Sequence, residues 1–275
     1  GMTLIYTDSP LGTVGLIDIR NPRAPQPLGN AELGGEPTAV AVTGKIAFVG
    51  VNTSESYVAP SGHLAVLNVE TKEITATCDL GGQPDSVAVS KDGSLVSIAI
   101  ENERDEDLGD GRTGQMPAGH LVQFDVANCA IACDGRRDVN LTGLAEVSPE
   151  DPEPEFVDIN GLGETVITMQ ENNHMVVVSR DGQVMSHFSA GAVDLTDIDV
   201  EDERAALTFT HSQMDRKREP DAVKWIDDNH FATANEGDMD GGSRGWTIFH
   251  KDGTVVYEAG NTFEHAVVQI GHYPD

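Results

Sequence analysis

Three cysteines, 17 basic residues and 5% aromatics are a sparse supply for 275 residues. Each scarcity excludes something. Cys78, Cys129 and Cys133 are odd in number, so at most one intrachain disulfide forms, and none is spaced as CxxC, which argues against a structural zinc site. Two pairings stay open. Cys129–Cys133 would close a small loop, while Cys78 and Cys133 sit at similar places in their repeats; free core thiols are the remaining reading. Against 46 acids the few bases leave a net charge of −29, and no basic face for nucleic acid or an anionic membrane. No apolar run approaches the ~18 residues of a membrane-spanning helix, so direct membrane insertion is not expected. No secretory leader is read, because Gly1-Met2-Thr3 runs straight into a strand pattern; a Gly ahead of Met reads as an expression scar, so export stays open. Amphipathic helical periodicity is almost missing as well.

What the chain does have is a repeat. An acid or amide, then Pro, then a short strand, recurs as Glu36-Pro37-Thr38-Ala39-Val40, Gln83-Pro84-Asp85-Ser86-Val87, Glu153-Pro154-Glu155-Phe156-Val157 and Glu219-Pro220-Asp221-Ala222-Val223. A turn follows each copy (Thr43-Gly44-Lys45, Lys91-Asp92-Gly93, Gly161-Leu162-Gly163, Asp227-Asp228-Asn229), then a second strand ending on polar residues, then a third and an edge-like fourth. Short strands in fours between Gly/Asp turns are the pattern of β-propeller blades, and a sandwich has no reason to repeat Glu-Pro-Asp at every fourth strand. The chain therefore reads as all-β, a propeller of four-stranded antiparallel blades. About five units are expected, roughly 3–34, 35–82, 83–152, 153–218 and 219–275. The spacing from 36 to 83 suits a bare blade of ~40–45 residues. The two later spacings are longer and contain loops, at 103–117 with 138–152 and at 194–218. Residues 4–7 and 13–18 read as strands two and three of a unit whose first strand is missing.

Two longer phrases carry a family resemblance. Glu153-Pro154-Glu155-Phe156-Val157 through Met169-Gln170-Glu171-Asn172-Asn173, and Glu219-Pro220-Asp221 through Ala234-Asn235-Glu236-Gly237-Asp238, resemble the choice-of-anchor I family from about Leu16 onward. That family consists of mostly bacterial propellers related to YncE-like repeat proteins, often labelled alkaline-phosphatase-like. The resemblance implies a periplasmic, extracellular or cell-surface location. It also implies further blades beyond the segment Glu264-His265-Ala266-Val267, making these units part of a seven-bladed propeller. Open blade edges at 4–7 and 264–270 would then invite pairing with each other or with another copy.

Blade geometry nominates a site. The lead into strand one and the loop between strands two and three lie at the same end of a four-stranded blade. Glu36, Gln83, Glu153 and Glu219 should therefore converge with Asn52, Glu101, Glu171 and Glu236 around the channel mouth. Crowded carboxylates repel and lose solvation, a cost relieved by a cation, a proton or a basic group. Glu101, Glu171, Glu236 and Asp238 are the candidate metal ligands; oxygen donors without His or Cys favour Ca²⁺ or Mg²⁺ over zinc, and Ca²⁺ is the cofactor expected. Glu36, Glu153, Glu171, Asn172, Glu219, Asn235, Arg244 and His265 are the candidate ligand-binding residues. The alternative is that these residues cap strand ends by bonding backbone N–H groups.

The acidic run at 101–110, balanced only by Arg104, reads as a solvated loop, since its spacing is not that of an EF-hand. Asp238-Met239-Asp240-Gly241 reads likewise. Gly241-Gly242-Ser243-Arg244-Gly245 fits G-x-S-x-G, but a strand pattern follows it where a nucleophile elbow needs a helix. No residue set assembles a nucleophile, a base and an oxyanion donor, so catalytic residues are not assigned. Two functions remain: a binding module offering an acidic channel mouth to a protein, glycan, cation or small phosphorylated ligand, and a calcium-dependent phosphoesterase of the alkaline-phosphatase-like kind.

Overall fold

The computed structural model describes residues 2–112, 114–199 and 209–271. Strands follow one another in chain order. The first sheet holds β1 (Thr3–Asp8), β2 (Thr13–Asp18) and β3 (Gln26–Glu32). The second holds β4 (Glu36–Thr43), β5 (Ile46–Asn52), β6 (Gly62–Asn68) and β7 (Ile74–Asp79). In the third, β8 (Pro84–Val89), β9 (Leu95–Ile100) and β10 (His120–Ala127) are completed by β11 (Ala130–Ile131) and β12 (Arg137–Asn140), both pairing with β10. The fourth is β13 (Pro154–Ile159), β14 (Thr165–Met169), β15 (His174–Val178) and β16 (Val184–Ser189). A two-stranded sheet of β17 (Ala192–Ile198) and β18 (His211–Lys217) precedes the last, β19 (Pro220–Trp225), β20 (His230–Asn235), β21 (Trp246–His250) and β22 (Val255–Glu258). Every strand pairing is antiparallel between neighbours, the meander that blades require.

Burial within a blade explains its sequence. In the interior blades strands two and three lie between two neighbouring sheets, so both faces are covered; β14 and β15 are buried at every position, whereas β20 and β21 of the last sheet alternate. Strands covered on both faces read as continuous Val/Ile runs rather than as alternation. Fourth strands such as β7 and β16 are mostly exposed and carry Thr, Ser and His instead. Four apolar clusters fill the spaces between successive sheets. One packs Phe48 and Leu64 of the second sheet on Ile98 and Phe124 of the third; another sets Met175 of the fourth on Phe231 and Phe249 of the last. Each fully buried Phe contributes about 2–3 kcal/mol by leaving water. The first strands β4, β8, β13 and β19 touch in succession and so lie innermost.

A disulfide joins Cys78, on the outer strand of the second sheet, to Cys133, just before β12 of the third, while Cys129 is free and exposed. It cross-links two neighbouring sheets at their rims and fits an oxidising compartment. Two local expectations are corrected. Residues 194–218, read as a loop, contain most of the β17–β18 hairpin, whose alternation is too polar to signal a strand; residues 200–208 of that segment lie outside the described residues. Residues 262–269 form a short helix, α1 (Thr262–Gln269), rather than an open edge strand.

Candidate functional site

Each of the four Pro-led first strands carries the same irregularity. The pairing to strand two slips by one residue just after the Pro, between Pro37 and Ala39, Pro84 and Val87, Pro154 and Val157, and Pro220 and Ala222. Such a bulge leaves one residue unpaired and re-aims its side chain. In the third and fourth sheets this segment carries Asp85 and Glu155.

The polar tips of strand two fix the same corner. Asn102 adopts a left-handed φ of 54°, tolerated by Asn, and its Oδ1 accepts from the Gln83 N–H at 2.9 Å. Its amide donates to the carbonyls of Pro117 and Ala118. Asn172 repeats this, accepting from the Glu153 N–H and donating to Val147, Ser148 and Asp151 carbonyls. Asn173 accepts from the Glu219 N–H. The Asn residues thus act as staples that hold Gln83, Glu153 and Glu219 at the strand leads.

Above these staples lies a cleft of about 400 Å³ lined by nine carboxylates, those of Glu101, Glu103, Glu106, Asp110, Glu153, Glu155, Glu171, Glu236 and Asp238, with only Arg104 and Arg112 in opposition. Arg104, 2% exposed, pairs through Nε with the equally buried Glu153, while its Nη2 is buried without a partner. Arg112 pairs with Asp240 and donates to the Met239 carbonyl at 2.9 Å. The run at 101–112 therefore reaches from the third sheet to the 238–240 turn of the last. Its buried start at Glu101 and Arg104 forms a wall of the cleft, while residues 106–110 are exposed, the solvated acidic loop that composition suggested.

At the base, one carboxylate oxygen each from Asp85, Glu101 and Glu155 lies within 4.8 Å of the other two. Burial, then the charges of Asp221 and Glu103, push Asp85 up to about 6. Burial followed by Asp85 and Glu171 raises Glu101 well above the carboxylate range. Burial and the charges of Glu101, Glu171 and Asp85 push Glu155 up to about 12. Beside them burial moves Glu171 to about 7. Glu153 rises to about 8 because burial and the Glu171 charge outweigh its pairing with Arg104. Glu171 Oε2 is buried and makes no hydrogen bond, although the residue is only 8% exposed. The arrangement stores negative charge that protons, or a cation, can relieve.

Of the residues nominated from sequence, Glu101, Glu153, Glu171, Glu236 and Asp238 line the cleft. The others lie elsewhere. Glu36 is exposed on β4. Glu219 is fully buried and its carboxylate accepts from the Asp238 and Asp240 N–H groups at 2.7 and 2.9 Å. Asn235 is a buried link to Thr247 and Ser243. That contact also places Ser243 among buried polar groups, away from any nucleophile elbow. Arg244 is exposed in a left-handed turn with φ 56°. His265 sits on α1, bonded to Asn261 and the Asp197 carbonyl. Asp85 and Glu155 were missed, though the signal was present. The residue after Pro is acidic in three of the four repeated phrases, and the innermost strand begins there.

A family model for the choice-of-anchor I domain matches residues 2–241. The chain belongs to that family. Membership supports association with the cell surface, and no helix among the described residues is long and apolar enough to cross a membrane. Among solved structures, Kuenenia stuttgartiensis hydrazine synthase is similar in fold, with a TM-score of 0.59 at 11% identity over 91% of this chain and 68% of that one. At that identity the likeness is one of β-propeller architecture alone. No curated protein matches the chain.

Proposed function

We propose that this choice-of-anchor I domain is an exported, surface-associated β-propeller that acts as a binding module, its acidic cleft taking a cationic ligand. The observation that carries the reading is the imbalance in the cleft, nine carboxylates against two arginines that are already committed to Glu153 and Asp240. Carboxylates this close cost several kcal/mol when ionised together, and a bound cation offsets that cost. A ligand that binds only the folded state raises the melting temperature by mass action. The test is thermal unfolding at neutral pH with CaCl₂ or spermidine against NaCl of equal ionic strength. Stabilisation by either beyond the NaCl control is expected; curves that coincide with the control for both would end the reading.

A calcium-dependent phosphoesterase is the second reading, and Arg104 favours it. Its unpartnered buried Nη2 is a ready donor to an anionic oxygen beside the carboxylates. Calcium-dependent release of p-nitrophenol from p-nitrophenyl phosphate would establish it. A trace that is blank with and without Ca²⁺ leaves binding alone.

A further inference from the structure

We infer that Asp85, Glu101 and Glu155 form a single Ca²⁺ site at the base of the cleft, beside the unpartnered Glu171 Oε2 of the cleft wall. The inference rests on the cationic-ligand reading and assigns it a residue set and an ion. Its first support is geometric. Calcium takes oxygen ligands at 2.3–2.6 Å, so ligands on opposite sides of the ion are about 5 Å apart, and the three carboxylate oxygens all fall within 4.8 Å of one another. The second is the set of donors, carboxylates alone without a His or Cys, which suits a hard cation. Mg²⁺ keeps several waters and is usually held by one or two carboxylates, fewer than the three that converge here.

An independent observation points the same way. Glu171 comes from the tip of β14 and lies outside the triad, yet its Oε2 is buried in the cleft wall with no hydrogen-bond donor. A buried carboxylate oxygen without a donor is costly, and such groups are rare unless something unseen satisfies them. Arg104, whose Nη2 is also buried without a partner in this cleft, is tied through Nε to Glu153. The bulges supply the means of positioning. One extra residue after Pro84 and after Pro154 places Asp85 and Glu155 on adjacent innermost strands, with Glu101 arriving from the end of β9 between them. The outer carboxylates Glu106, Glu236 and Asp238 are exposed and belong to the lip rather than the site.

Isothermal titration with CaCl₂ on wild type, E155Q, D85N and the lip double variant E236Q/D238N tests the assignment. The account expects one ion per chain. It expects a loss of at least about tenfold in affinity for E155Q and for D85N, because affinity tracks the number of ligand charges, and less than about threefold for the lip variant. Equal affinity across all four proteins, or a loss confined to the lip variant, overturns it. D85N relieves like-charge crowding, and E155Q keeps a hydrogen-bonding group beside Glu101, so both are expected to fold. A measurement on wild type alone guards against failure there: terbium luminescence decay in H₂O and D₂O should report an ion that has exchanged several of its waters for carboxylates, and a fully hydrated ion would overturn the site. Stabilisation by spermidine with no heat from Ca²⁺ would sink the calcium site while leaving the cationic-ligand reading intact.

Discussion

Glu153 and Glu219 open the same repeated phrase in neighbouring four-stranded blades, and the fold uses them differently. Both are buried, both precede Pro, and an Asn at a strand tip accepts from the N–H of each. Glu153 faces the cleft, with Arg104 as its counter-charge. Glu219 turns away and satisfies the Asp238 and Asp240 N–H groups, so it shapes the far lip instead of lining the hollow. The repeat thus fixes where a carboxylate sits, and its non-repeated neighbours decide what it does. Here the neighbour is the 101–112 segment, which only the third sheet carries.

The sharpest way to break the comparison is to remove each carboxylate's partner. Arg104→Met leaves Glu153 buried among Glu171 and Glu155 without a counter-ion. Loss of one member of a buried pair costs about 3–5 kcal/mol when the remaining charge stays ionised, so urea unfolding should show a drop approaching that order above about pH 8, where Glu153 is ionised, and a smaller one at neutral pH, where it takes up a proton. Glu219→Ala leaves two backbone N–H groups without their acceptor, about 1–3 kcal/mol, and should leave calcium affinity nearly untouched. If Glu219→Ala abolished calcium binding while Arg104→Met unfolded no more easily than wild type, the two roles would be reversed.

The pH dependence separates the two kinds of acid. Asp85, Glu171 and Glu153 have folded values raised to about 6, 7 and 8. Raised carboxylates favour the protonated folded state, so their contribution is complete below the ordinary carboxylate range and is lost as pH climbs through about 6 to 8. Asp92 and Asp252 run the other way. Hydrogen bonds, led by those from Ser94 to Asp92 and from Thr254 to Asp252, hold both at about 2, so their contribution is present above the ordinary carboxylate range and lost in stronger acid. In chelator-treated buffer the melting temperature should peak between about pH 4 and 6 and fall toward pH 8; a flat profile over that interval would contradict the uncompensated cluster. At the small end, Glu36→Gln alters an exposed position remote from the cleft and should shift stability by less than about 0.5 kcal/mol.

The blade pattern was legible because strand burial is periodic. The Val/Ile runs of β9, β14 and β15 and the turns between them state the fold directly, and repetition multiplies the signal. Part of the cleft was legible for the same reason, since Glu101, Glu171 and Glu236 stand at equivalent tips. The rest was hidden by what does not repeat. Residues 101–112 read as solvent-exposed acid, and 106–110 are; what composition does not display is that Arg104 and Arg112 tie the segment to Glu153 and Asp240. Asp85 and Glu155 depend on a bulge, a slip in hydrogen-bond register that composition does not display. The helix at 262–269 lies past the last repeated phrase, where periodicity gave no guide.

The most direct measurement of the central claim is anomalous diffraction from crystals soaked in CaCl₂ or TbCl₃. The account predicts one strong peak within about 2.6 Å of carboxylate oxygens from Asp85, Glu101 and Glu155, and no comparable peak at Glu219. A peak lodged only in the 238–240 turn, or no peak in the cleft at saturating metal, would contradict it.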